Sequence, residues 1–241
     1  MEKKQFENNN FVLYAPDSLK HVFKDLESIL DESLDIYKEL FDVDSFRKVE
    51  IHYFDNKDDF REFVYKLKGD DSLPKYSVGT SSCGVISAYI DSSIKEGDPI
   101  FNKRVHLASH ELFHIMYHEL VIFGKKREYL TWFDEGCAQF FSGEKEYELN
   151  EGFSEWFNKV KSETKAVPKL NNLSHGLGFK TDNYNGYDLS LLAVKNLYDV
   201  LGYDAFKELL TNSNSVIKYG YGILEDAFLF YDMELEDNRV K

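Results

Sequence analysis

The stretch RVHLASHELFHIMYHEL, Arg104 to Leu120, sets a histidine at every fourth position: His106, His110, His114 and His118. Four residues along a helix rise about 6 Å and turn slightly past a full circle, so adjacent members of this row converge, while members eight apart stand about 12 Å apart along the axis. One zinc ion, with Zn–N bonds of about 2.0–2.1 Å, therefore takes an adjacent pair: 106/110, 110/114 or 114/118. Residue 111 separates the three. His110 and His114 bracket HELFH, in which Glu111 lies about 100° round the helix from His110, where it can take a proton from a metal-bound water without ligating the ion. The chemistry selects His110 and His114 as metal ligands and Glu111 as general base.

In a chain of this composition HExxH is expected by chance only roughly 0.02 times, so the question becomes whether a third ligand follows. Catalytic zinc takes three protein ligands and keeps one position open. A third histidine at HExxHxxGxxH spacing is excluded, because those places hold Tyr117 and Leu120. TWFDEGCAQFF, Thr131 to Phe141, is a second helical segment in which Glu135 follows His114 by 21 residues, room for one loop and a returning helix. Glu135 is read as the third ligand. His106 and His118 flank the pair by one turn each: His106 is expected to line the cleft or bond a carboxylate, His118 to pack near the helix end.

Outward from this stretch the pattern changes character. FVLYA (Phe11 to Ala15), KVEIHYF (Lys48 to Phe54) and CGVISAYID (Cys83 to Asp91) read as strands. Between them, Leu19, Val22, Phe23, Leu26, Ile29 and Leu30 recur at helical spacing behind an Asp17 or Ser18 cap, and NKDDFREFVYKLKG gives a capped helix ending at Gly69. From about Val105 the segments are nearly all helical. No repeat, low-complexity tract or Pro/Gly-rich linker interrupts the chain. The expectation is a single α+β domain over 1–241, with an N-terminal α/β lobe over about 1–120 and a mostly helical lobe over about 121–241.

The 241 residues, 43% hydrophobic, suffice for a proper core. A net charge of -14 repels phosphate backbones and anionic membrane surfaces, so neither nucleic acid nor membrane is an expected partner. Two cysteines, Cys83 and Cys137, make no disulfide framework and suit a reducing compartment. There is no apolar run of signal-peptide or membrane-spanning length. The expectation is a cytoplasmic protein, with secretion left open if a leader precedes this sequence.

HELFH followed by WFDEG.A resembles the zinc metallopeptidases of the gluzincin type, and more narrowly the small bacterial peptidase MA-like domains. The resemblance extends from about Val12 to Phe230, with only these two segments specific. It implies a thermolysin-like zincin core: a small mixed sheet, an HExxH helix beneath it and a mostly helical C-terminal lobe. It also implies one zinc per chain on His110, His114 and Glu135, with Glu111 as general base.

The sequence also departs from that pattern. One turn after the glutamate ligand, relatives often carry an acid that bonds a zinc-binding imidazole; here Gln139 stands there, and Asp134 is the other candidate for orienting a ligand. The strand corresponding to the amine-gripping G-x-M-E-N strand of the large aminopeptidases reads GVISA (Gly84 to Ala88), with no acid. By resemblance this edge strand would pair with an extended peptide, which makes Gly84, Val85 and Ser87, with His106, the substrate-binding candidates. In similar peptidases a tyrosine at the start of a later helix donates to the oxyanion. Tyr187 is the first choice, with Tyr184 and His175 behind it.

Two function classes follow. The first is a zinc metallopeptidase hydrolysing internal bonds of a peptide or protein substrate. The second is a catalytically silent zinc-binding module of the same fold that binds peptide or protein. Glu111 favours the first, since a silent module has no use for a general base, and Gln139 leans towards the second.

Overall fold

The computed structural model describes residues 3–70, 72–98, 100–174 and 178–239. It is a mixed α/β chain with a five-stranded sheet and a mostly helical C-terminal part. Contacts divide it into two compact units, one reaching Met116 and including Phe141–Glu144, the other comprising Tyr117–Phe140 and the chain from Lys145 onward.

The first unit holds the sheet: β1 (Lys3–Glu7), β2 (Phe11–Ala15), β3 (Val49–Phe54), β4 (Gly79–Ser82) and β5 (Val85–Tyr89), in the order β1-β2-β3-β5-β4. β2, β3 and β5 run parallel, Leu13 opposite Ile51 and Ile51 opposite Ile86, while β1 and β4 pair antiparallel at the two edges. Parallel neighbours require crossovers, and the two helical segments read from the sequence supply them: α1 (Phe23–Phe41) joins β2 to β3, and α2 (Lys57–Lys68) leads from β3 towards the β4–β5 hairpin.

Period two decides which helix covers which face. Tyr53 points to one side, where its ring meets Phe23 of α1 and its hydroxyl donates to Val105 O. Phe54 points to the other, into a cluster with Phe60, Val64 and Leu73. α2 is bounded as its sequence dictates, with Asn56 accepting from the amides of Asp58 and Asp59 and Gly69 closing the helix at φ 78°. α1 differs from expectation. Asp17–Leu19 form a separate 3-10 turn, and α1 starts at Phe23 without a side-chain cap. The capping groups are engaged elsewhere: Asp17 is bonded by Lys3 and Lys20, and Ser18 donates to Asp55.

The strand expected over Cys83 to Asp91 is β5, the second arm of a hairpin whose first arm is β4. Cys83 (φ 53°) and Gly84 (φ 74°) are the two residues of its turn, both left-handed, as a two-residue turn between twisted strands demands. This corrects the reading of Gly84, Val85 and Ser87 as an edge. β5 lies between β3 and β4, so its backbone is already paired on both sides, and the edge on this side of the sheet is β4, with β1 at the other. GTSS has no apolar alternation to mark it as a strand.

Beyond the hairpin come α3 (Phe101–Val105) and α4 (Leu107–Tyr117), the histidine-bearing helix, which passes into a π-helical turn at His118–Phe123. Within the first unit α4 packs on α1: the Phe113 ring lies edge-on to Tyr37, and Tyr37 Oη is 3.0 Å from Ser109 Oγ.

The second unit is built on α5 (Thr131–Phe141), α6 (Glu146–Leu149), α7 (Phe153–Glu163), α8 (Gly186–Leu201), α9 (Tyr203–Thr211) and α10 (Ile223–Arg239). α5 is buried from Thr131 to Gln139, and it meets α8 at Gly136. A Cβ there would stand 2.5 Å from Ser190 O and 2.7 Å from Val194 Cγ2. No helix among the described residues is long and apolar enough to cross a membrane. Gly136→Ala is expected to destabilise the protein by about 1–3 kcal/mol, the usual cost of overpacking, read as a lower urea midpoint at unchanged slope.

Candidate metal centre

α4 brings His110, Glu111 and His114 onto adjacent turns, each with under a tenth of its surface exposed. Buried polar groups in such a helix must find partners, and these two imidazoles face one another. His110 Nε2 and His114 Nε2 are 3.0 Å apart, with the rings edge to face at 76°. Two nitrogens at zinc-ligand distance from one tetrahedral ion stand about 3.3 Å apart, so the pair has the spacing such an ion requires. Glu111 is also in place. Its Oε1 lies 2.9 Å from where a Cβ on Gly79 would stand, with Leu107 Cδ1 at 2.8 Å, so the first residue of β4 lies close beside the carboxylate.

Glu144 was not singled out by the sequence. Its Oε1 is 3.4 Å from His110 Nδ1, the nitrogen facing away from His114, and both side chains are nearly buried. Glu144 lies just past the end of α5, five residues after Gln139. The turn carrying it is tied to the helices before the motif. His106 Nδ1 is 2.6 Å from Ser142 O, and Asn102 Nδ2 donates to Gly143 O at 3.2 Å. His106, expected to line the cleft or bond a carboxylate, here bonds a backbone carbonyl. The only sequence signal for this arrangement is the SGE that follows the helix, with Gly143 at φ 81°.

In the second unit α5 carries the remaining candidates. Asp134, 1% exposed, has its Oδ2 2.8 Å from His118 Nε2. Tyr129 packs edge-on against the His118 ring and shares the Asp134 carboxylate. Burial first, then the charges of Asp134 and Glu135, push the Tyr129 hydroxyl well above its ordinary pKa, so it stays protonated. Burial likewise raises the Cys137 thiol, with Asp134 adding to it. His118 was expected only to pack near a helix end; it holds the acid beside Glu135.

Gln139 Nε2 donates to Glu135 O and to Tyr187 O, tying α5 to the first turn of α8. Asn185 caps α8 by accepting from Tyr187 N, and the Tyr187 ring stands edge-on to Phe179. Tyr184 donates its hydroxyl to Gly178 O, which engages it within its own loop. His175 lies outside the described residues.

No family profile matches the sequence, and no curated protein matches it. Among solved structures the chain is similar to an M1 zinc metallopeptidase from Deinococcus radiodurans and to a point mutant of the same enzyme. Each is 14% identical with a TM-score of 0.48, the match covering 92% of this chain and 44% of that one. The chain spans less than half the length of the peptidases it matches.

The four histidines can be told apart by experiment. His114→Ala should lose metal from the purified protein. His118→Ala should keep wild-type zinc content yet unfold at lower temperature, since a buried carboxylate loses a partner at a cost of about 1–3 kcal/mol. Full zinc occupancy in His114→Ala would reassign the ligands.

Proposed function

We propose that this chain is a zinc-dependent metallopeptidase that hydrolyses internal peptide bonds. The observation that carries the reading is the pair of converging Nε2 atoms of His110 and His114, 3.0 Å apart, with the buried Glu111 between them in sequence. Glu135 completes the ligand set, the usual complement of two imidazoles and one carboxylate at a hydrolytic zinc. A zinc bound there lowers the pKa of a coordinated water and polarises the substrate carbonyl.

The chain's own residues do the rest. Glu111 accepts the proton of the attacking water and returns it to the departing amine, the work of a general base that becomes a general acid. Tyr187 donates to the oxyanion of the tetrahedral intermediate. An extended substrate pairs its backbone with β4, the sheet edge whose first residue lies close beside Glu111. Gly79, Thr80, Ser81 and Ser82 carry no acid that would grip a free amino terminus, and an ammonium placed there without a counter-charge is costly. The substrate is therefore cut within its length. The net charge of -14 favours approach of basic or neutral peptides.

Glu111→Gln should retain zinc and lose about 10²–10⁴ in hydrolysis rate, because the amide keeps the shape but accepts no proton. Equal rates would assign the cleavage to a contaminant. A peptide and its N-acetylated twin should give the same internal fragments by mass spectrometry. A ladder shortened residue by residue and abolished by acetylation would make the protein an aminopeptidase. Zinc uptake without turnover of any library peptide would favour the silent binding module.

A further inference from the structure

We propose that Glu144 is the positioning residue of the metal ligand His110, and that His106 serves to place it. The inference rests on the zinc reading above and concerns how one ligand is prepared. An imidazole presents a lone pair from one ring nitrogen when the other carries the proton, and an ionised carboxylate can only accept. Glu144 Oε1, 3.4 Å from His110 Nδ1, is the negative charge beside that nitrogen, and its field favours the tautomer with the proton on Nδ1. That tautomer leaves the Nε2 lone pair directed at the place where His114 Nε2 also points.

The carboxylate arrives by a specific route. The position one turn after Glu135, from which an acid would reach a ligand along α5, holds Gln139, whose amide donates to two backbone carbonyls. Glu144 comes from a turn beyond the helix, at Gly143 with φ 81°. The ring of His106 fills the space a Cβ on Gly143 would need, its Nδ1 and Cε1 both 2.7 Å from that position. The same ring bonds Ser142 O at 2.6 Å, and Asn102 bonds Gly143 O. His106 stands just before α4 and its carbonyl accepts from His110 N, so the residue that fastens the turn adjoins the residue the turn serves. The first histidine of the row thus acts on the second without touching the metal.

The test uses the full chain freed of metal. Long-range proton–nitrogen correlation spectra at alkaline pH report which imidazole nitrogen carries the proton. His110 is expected as a single Nδ1–H tautomer in the wild type and as a mixture in Glu144→Ala. Zinc affinity, read by competition with a chromogenic chelator, should fall about 10- to 100-fold in Glu144→Ala, the usual cost of losing such a partner. Glu144→Gln should fall less, because its amide oxygen still accepts. Gly143→Val, which forces the His106 ring aside, should shift both readouts in the direction of Glu144→Ala, and Glu146→Ala, an exposed neighbour, should shift neither. An Nε2–H tautomer in the wild type overturns the proposal even if every variant fails to fold. So does wild-type tautomer and affinity in Glu144→Ala, and that result leaves the zinc reading standing. A wild-type protein that takes up no zinc at His110 and His114 overturns both.

Discussion

A neutral imidazole carries its proton on one ring nitrogen and offers a lone pair from the other, so a group beside one nitrogen biases which of them can face a metal. That constraint organises the histidine-bearing helix. His110 and His114 turn their Nε2 atoms towards one another, and a carboxylate stands behind the first of them. Because the pair is buried, these polar atoms have little water to fall back on, and the surrounding chain has to supply what they need. Beside the pair stands the turn at Ser142–Glu144, with its left-handed Gly143, fastened by His106 and Asn102. The same logic operates on α5, a helix buried along most of its length that nevertheless carries Asp134, Glu135 and Gln139. Asp134 is held by His118 and Tyr129, and Gln139 by two carbonyls. The outer histidines of the row therefore act in support: one fixes a turn and the other fixes an acid.

Where a physical period was strong, the sequence could be read directly. The spacing of four in HELFH places both imidazoles on one face whatever surrounds them, and α1, α2 and the central strands carry their apolar residues at periods of 3.6 and 2. Reading failed where pairing rather than pattern makes the element. β1 (KKQFE) and β4 (GTSS) are strands because a neighbour offers them a ladder, and neither has the alternation that would announce it. Missing β4 turned an interior strand into a supposed edge. The cap of α1 failed differently, since Asp17 and Ser18 found partners distant in sequence that composition does not reveal.

Glu144 illustrates the limit of spacing arguments within one helix. Extrapolating one turn from Glu135 leads to Gln139, and the absent acid there looked like a loss of function. The acid comes instead from a point where the helix has ended and the chain has reversed through a glycine, so its distance along the sequence carries no helical meaning. Asn102, His106 and Gly143 become informative only once they are close in space.

The β4 edge of the sheet carries a different kind of consequence. β4 offers four residues with no side chain larger than threonine, so what it presents to a visiting chain is almost purely main chain. Main chain is common to every polypeptide, and a ladder of N–H and C=O groups distinguishes extended from folded far better than it distinguishes one residue from another. A segment already committed to a helix or to the middle of another sheet has no such groups to offer. On the proposed function, recognition at this edge selects for the physical state of a chain, its looseness, ahead of its spelling.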